Sequence, residues 1–254
     1  MKDILNQKWG LAFGGGGAKG SAHIGIVKYL QENDIEPHAI SGNSIGSLIA
    51  AMYAFRLSHR EIKEAFLELE PFKLTFLRPT PLGVMRNHSV YNVLTNHFGR
   101  KTKIEDAQIP LAIHTTNIVT GQPHPLLEGN LIEAVMSSCC VPGLYIPNES
   151  DEVILVDGGL TENVPISVLP KLGAEKTVAI NLNGHSSYTR PKNVMDVLAN
   201  SFDIAIDHTT RTQLREADFV FDLDLSKYSR FMIDNVDEMI ELAYSTIKQD
   251  ISKS

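Results

Sequence analysis

Cysteine is almost missing from this sequence: Cys139 and Cys140, side by side, are the only two among 254 residues. Neighbouring Cα atoms stand about 3.8 Å apart, closer than ordinary disulfide geometry accepts, so a disulfide framework is excluded. The pair reads as reduced, small core residues, which fits a reducing compartment. Long apolar runs are missing too. No stretch reaches the roughly 18 apolar residues of a membrane-spanning helix, and Met1 to Lys8 is polar and mixed in charge, without the apolar centre of a secretory signal. The expected location is the cytoplasm, with any membrane contact peripheral. An excess of positive charge is lacking as well. With 23 Lys and Arg against 30 Asp and Glu, the net charge is -7, which argues against nucleic acid as the main partner. Internal repeats, low-complexity tracts and linkers are absent, and 43% hydrophobic and 21% charged residues make an ordinary globular composition. A single domain over residues 1–254 is the simplest expectation.

Against these absences, glycine is concentrated in three places. A strand expected at Trp9 to Phe13 runs into Gly14-Gly15-Gly16-Gly17-Ala18-Lys19-Gly20, and a helix follows from Ser21 with Ala22, Ile26, Val27 and Leu30 on one face. A second strand, His38 to Ser41, enters Gly42-Asn43-Ser44-Ile45-Gly46, and an alanine-rich helix runs on to Phe55. Strand, helix, strand, helix favours a mainly parallel central sheet with helices on both faces, an α/β fold. Ser58 and Glu61 have capping-box spacing and open a helix through Leu69. Phe72 to Met85 is apolar and broken by prolines; it is either a lid or lipid-touching loop, or a connection packed over the core. A helix at Ser89 to Phe98, strands at Leu111 to Val119 and Pro125 to Leu127, and a helix at Leu131 to Cys140 come next. A strand at Glu152 to Val156 then enters Asp157-Gly158-Gly159. The remainder alternates: a helix near Ile166 to Leu172, a strand at Thr177 to Leu182, a helix from Asn193 to Glu216, a strand at Phe219 to Leu225 and a last helix near Val236 to Ile251.

The G-x-S-x-G pattern around Ser44 reads as a nucleophile elbow, a strained strand-to-helix turn in which Gly42 and Gly46 keep the helix clear of neighbouring strands. Its bland alternative is a turn with a helix cap. Gly15, Gly17 and Gly20 also match a dinucleotide-binding fingerprint, but the second strand ends in Ser41-Gly42-Asn43-Ser44 without the acid that would hold a ribose. A Walker-type phosphate loop fails because Gly20, and not Ser or Thr, follows Lys19. What stays is a row of backbone N–H groups suited to an anion, the oxyanion of an ester reaction included. Lys19 is read either as a solvated first-turn lysine or as a structural or electrostatic residue. Asp157 is a turn residue or, given Ser44, the base a serine hydroxyl requires. In the usual Ser, acid, His order, His185 and His208 are formal candidates for a triad. His23, His38, His59, His88, His97, His114 and His124 show no metal-ligand spacing, Asp222 and Asp224 read as turn or edge residues, and no loop suggests calcium. No metal and no cofactor is expected.

Taken together, Gly15-Gly16-Gly17-Ala18-Lys19-Gly20, Gly42-Asn43-Ser44-Ile45-Gly46 and Asp157-Gly158-Gly159 resemble the three signature blocks of the patatin-like phospholipases, in particular compact bacterial, single-domain members. His23-Ile24-Gly25, Val141-Pro142-Gly143 and Asn163-Val164-Pro165 extend the likeness, which covers about residues 9 to 183. The resemblance implies lipid or ester substrates and a Ser-Asp dyad without histidine. Ser44 is then the nucleophile and Asp157 the proton acceptor, with an oxyanion hole on the backbone of Gly15, Gly16 and Gly17. Lys19, Gly20, Gly42, Gly46, Gly158 and Gly159 support the motifs. Two departures stand out: Asn43 where threonine is common, and Lys19 where arginine is often found. Neither is expected to touch the proton path. A non-catalytic, anion-binding module on the same fold is the rival reading, with a nucleotide-binding enzyme behind it.

Overall fold

The computed structural model describes residues 1–69, 77–149, 153–185, 188, 190–230 and 232–253. A short helix α1 (Lys2–Leu5) precedes β1 (Trp9–Phe13), then α2 (Ser21–Glu32), β2 (Ala39–Asn43), α3 (Ile45–Ala54) and α4 (His59–Leu67). β3 (Leu77–Thr80), β4 (Gly83–Met85) and α5 (His88–Phe98) lead to β5 (Leu111–Asn117), β6 (Gln122–Pro123) and α6 (Leu131–Ser138). β7 (Gly143–Tyr145), β8 (Asn148–Glu149), β9 (Ile154–Asp157), β10 (Lys176–Asn181), α7 (Val194–Gln213), β11 (Phe219–Asp222) and α8 (Val236–Ser252) complete the order.

The central sheet runs β11-β10-β1-β2-β5-β9-β8. Its first five strands are parallel, whereas β9 and β8 are antiparallel to their neighbours and β6 pairs beside them on β5. Side-chain alternation along the strands divides the core. Leu11, Phe13, Ile40, Val178, Ile180 and Phe221 join one large buried cluster with residues of α2, α3 and α8, while Ala12, Ala39 and Ala179 belong to a smaller cluster with Val164, Ile166, Leu169 and Ala174. Period-two alternation thus puts bulky residues toward the thick helical layer and alanines toward the thin one. On the thin side the predicted helix at 166–172 is only a 3₁₀ turn, Leu169–Leu172.

Ser58 accepts from the Glu61 N–H while Glu61 accepts from the Ser58 N–H, the expected capping box; α4 stops at Leu67. Of the proline-broken segment, residues 72–76 lie outside the described residues, as does Glu152. The rest is a β3–β4 hairpin whose second strand pairs with β7 in a small separate sheet. The predicted strand at Pro125 to Leu127 reduces to a single bridge between Ile113 and Leu126. Cys139 and Cys140 are buried and unbridged. Among the described residues, no helix is long and apolar enough to cross a membrane.

Candidate active site

Register assembles the site. Phe13 lies opposite Gly42, Asn43 opposite His114, and Thr115 opposite Asp157. Continuing each strand past its end puts Gly15, Ser44, Thr115 and Asp157 in one row across the sheet. Because β9 is antiparallel, Asp157 comes into that row from the opposite direction to Ser44.

Ser44 has φ 52 and ψ -128, between β2 and α3. A non-glycine residue held there stores about 1–3 kcal/mol of strain and needs partners to hold it. Its N–H donates to Ser138 Oγ at 2.8 Å, and the Ser138 hydroxyl donates to the His114 carbonyl at 2.7 Å. Its carbonyl accepts from the Ser47 N–H at 2.9 Å and the Ser47 hydroxyl at 2.6 Å. A Cβ on Gly46 would collide with the Phe13 carbonyl, and one on Gly42 with Gly46 itself, so α3 can leave β2 this closely only over glycines. Between Ala39 and Ala54, Ser44 alone is not buried.

Asp157 Oδ1 accepts from the Gly159 N–H at 2.8 Å. Burial pushes its pKa up from the usual aspartate value, against the Gly159 N–H, the Ser44 hydroxyl and the Asn43 amide, which favour the charged form. Asn43 thus stands beside the Asp157 carboxylate. Its fully buried side chain also donates to Asn163 Oδ1 at 3.2 Å, and it accepts from Ser138 at 3.5 Å.

The glycine loop crosses in front of Ser44: a Cβ on Gly15 would stand 3.3 Å from Ser44 Cβ. The Gly14 N–H donates to the Ile180 carbonyl at 3.2 Å, and the Gly15 N–H to the Asn163 carbonyl at 3.1 Å. The Gly15 carbonyl accepts from Asn183 Nδ2 at 2.9 Å and Asn163 Nδ2 at 3.5 Å. Among the described residues, the N–H groups of Gly16 and Gly17 have no partner within the chain. Gly15, one of the three glycines expected to offer an N–H, gives its own to the fold. Gly17 has φ 60, where glycine is favoured, and a Cβ on it would meet the Arg230 carbonyl.

Lys19 is only 4% exposed, which rules out the solvated reading. Burial and Arg230 lower its pKa, opposed by Asp207, Asp203 and Asp224. Arg230 pairs with Asp203 and, at 3.5 Å, with the buried Asp207; Tyr188 donates to Asp207 at 2.8 Å. The Arg230 carbonyl accepts the Ala18 N–H at 2.9 Å, tying this charge cluster to the glycine loop. Nothing in the local sequence marks Arg230, Asp203, Asp207 or Ser138 as site residues. The available signal is one of composition, two carboxylates four residues apart within a helix otherwise rich in apolar residues.

His185 stands 3.9 Å from Asp222, and His208 is exposed on α7; among the described residues no hydrogen bond joins either to Ser44 or Asp157. Two other histidines do lie against the site. His23 Nε2 donates to the Gly14 carbonyl at 2.8 Å, and His114 Nε2 is 3.2 Å from Thr161 Oγ1. Burial lowers the pKa of each to about 4, so both are neutral at pH 7.

A strained serine between strand and helix, a half-buried carboxylate in register with it and a glycine loop with two open N–H groups meet at one level of an α/β fold. The chain belongs to the patatin-like phospholipase family, whose family model matches residues 11–170 and so takes in all three glycine blocks. It is 31% identical over 204 residues to "Lysophospholipase NTE1" of Mycosarcoma maydis, covering 77% of this chain and 11% of that protein. It is 31% identical over 180 residues to "Patatin-like phospholipase domain-containing protein 6" of Homo sapiens, covering 68% of this chain and 13% of that one. An NTE family protein of Mycobacterium tuberculosis is 29% identical over 176 residues, with 68% of this chain and 49% of that protein covered. The chain thus spans half or less of each of these relatives. Among solved structures, VipD from Legionella pneumophila shares the fold at TM-score 0.59 and 14% identity, over 97% of this chain and 67% of that one.

Proposed function

We propose that the chain is a lipid acyl hydrolase that cleaves carboxylic ester bonds through an acyl-serine on Ser44. The observation that carries this reading is the strained, part-exposed Ser44 lying in one register row with the half-buried Asp157. Relatives named as a lysophospholipase and a patatin-like phospholipase support the substrate class. Ser44 Oγ attacks the ester carbonyl while Asp157 accepts its proton, and the oxyanion takes the N–H groups of Gly16 and Gly17. Asp157 returns the proton to the leaving alcohol. Water, deprotonated by the same carboxylate, then attacks the acyl-serine, and Asp157 passes that proton to the departing Ser44 Oγ as the fatty acid is released. A carboxylate is a weak base for an alcohol. Its raised pKa narrows the gap, and the two backbone donors supply the larger share, since one such donor is worth about 10²- to 10³-fold. The site works where lipid is presented, by peripheral contact with a lipid surface from the cytoplasm.

A fluorophosphonate probe and a lipid extract test the reading together. Wild type labels at Ser44 and releases fatty acids; Ser44→Ala does neither. Asp157→Asn loses activity by about 10²- to 10⁴-fold, while His185→Ala and His208→Ala stay near wild type. Folded protein that takes no label would favour an anion-binding module, and loss of activity in either histidine variant would favour a triad.

A further inference from the structure

The outward face of α7 is apolar where a surface helix is ordinarily polar. Its carboxylates Asp203 and Asp207 turn inward to Arg230, and Thr210 is buried. Val194, Val197, Leu198 and Ile204 face out, at 74%, 49%, 56% and 50% exposure. Against this helix lies Leu160, three residues beyond Asp157, and together they enclose a half-open groove of about 310 Å³ whose apolar walls include Leu160, Leu198, Phe202, Ala205 and Ile206.

Both halves of the site hold α7. Arg230 binds it through Asp203 and Asp207 while capturing the Ala18 N–H beside the oxyanion donors. On the other side, Gln213 Nε2 donates to the Thr161 carbonyl at 2.6 Å, next to the Asp157 loop. Leu160 ends the turn Gly158–Leu160 that follows Asp157, so the groove opens beside the loop that carries the carboxylate. An uncharged groove there suits a hydrocarbon tail, whose burial is favourable in proportion to apolar area. We infer that the groove between α7 and Leu160 receives the acyl chain of the substrate and sets the enzyme's chain-length preference. The inference rests on the hydrolase reading above.

Ala205 and Ser201 line the groove one turn apart and are exposed, so a large side chain at either fills the groove without entering the core. Wild type, Ala205→Trp, Ser201→Trp and, as a remote control on α8, Ser245→Trp are assayed on p-nitrophenyl butanoate and decanoate, both kept monomeric. In each groove variant the decanoate-to-butanoate ratio of kcat/KM falls at least tenfold, the effect of about two buried methylenes, and the control keeps the wild-type ratio. An unchanged ratio in both groove variants overturns the inference while leaving the hydrolase reading intact. So does a defect that appears only on vesicles, which makes α7 a membrane-docking face instead. Wild type that hydrolyses neither ester and takes no fluorophosphonate refutes the hydrolase reading itself.

Discussion

Ser44→Gly separates the conformational cost of the nucleophile from its chemistry. Ser44 sits at φ 52, ψ -128, pinned from both sides by Ser138 and Ser47, so the strain is held and not relaxed. Strain of this kind costs about 1–3 kcal/mol. Glycine removes it but brings a more flexible unfolded chain, worth about 0.5–1 kcal/mol in the other direction. Ser44→Gly is therefore expected to be more stable than Ser44→Ala by about 1 kcal/mol, with both inactive. Alanine is the right reference because it lacks the hydroxyl yet keeps the Cβ. For a chain of this size the difference is about 2–4 °C in Tm, and urea melts of both variants give it directly if their slopes agree. Should Ser44→Gly be less stable than Ser44→Ala, the elbow stores no strain and the argument from its backbone fails.

The Arg230 cluster predicts a stability effect with a rescue. Arg230→Met leaves the buried Asp207 without its guanidinium partner and costs about 3–5 kcal/mol, and it slows fluorophosphonate labelling of Ser44 because the side-chain pairs that hold the Arg230 carbonyl against the Ala18 N–H are gone. Adding Asp207→Leu restores most of the stability in chemical denaturation; no recovery in the double variant would show that the pair is not coupled. Acid sensitivity should follow from His23 and His114, whose folded pKa of about 4 lies below the ordinary value of 6.5. The unfolded chain binds protons first as the pH falls, so this stability is present above pH 6.5 and lost toward pH 4. At about 1.4 kcal/mol per unit that amounts to about 3 kcal/mol for each histidine. His23→Gln keeps a donor for the Gly14 carbonyl but cannot titrate. Its stability relative to wild type should rise across that window, and parallel pH curves would contradict the assignment.

The part of the site that could be read in the sequence is the part encoded locally. Gly42 and Gly46 announce the elbow because a helix leaving a strand that sharply has no room for a Cβ, and Ser58 with Glu61 announces a helix start by spacing alone. The direction of β9 could not be read this way, because an apolar strand has the same composition whichever way it runs. The division of labour in the glycine loop was equally hidden: that Gly15 spends its N–H on Asn163 depends on a partner far along the chain. The same holds for Arg230, whose carbonyl meets Ala18 only after β10, α7 and β11 have folded back. Lys19 is ambiguous in sequence because a lysine in a first helical turn is usually solvated, and its burial is made tolerable by carboxylates far along the chain, Asp203 and Asp207 on α7 and Asp224 beyond β11. Alternation along β1, β2 and β10 was legible in principle, yet which face carried the thick layer depended on α8, the last helix of the chain.

The register row has a consequence for how sequences of this kind can vary. Gly15, Ser44 and Asp157 share a level because three strand pairings count off the same number of residues from it. Adding or deleting a single residue within β2, β5 or β9 would move one participant out of line and turn its side chain to the other face of the sheet. The connections at the far end of those strands carry no such constraint. Length differences among related chains should therefore gather in those distal loops, and an insertion inside a strand would mark a sequence that has given up catalysis.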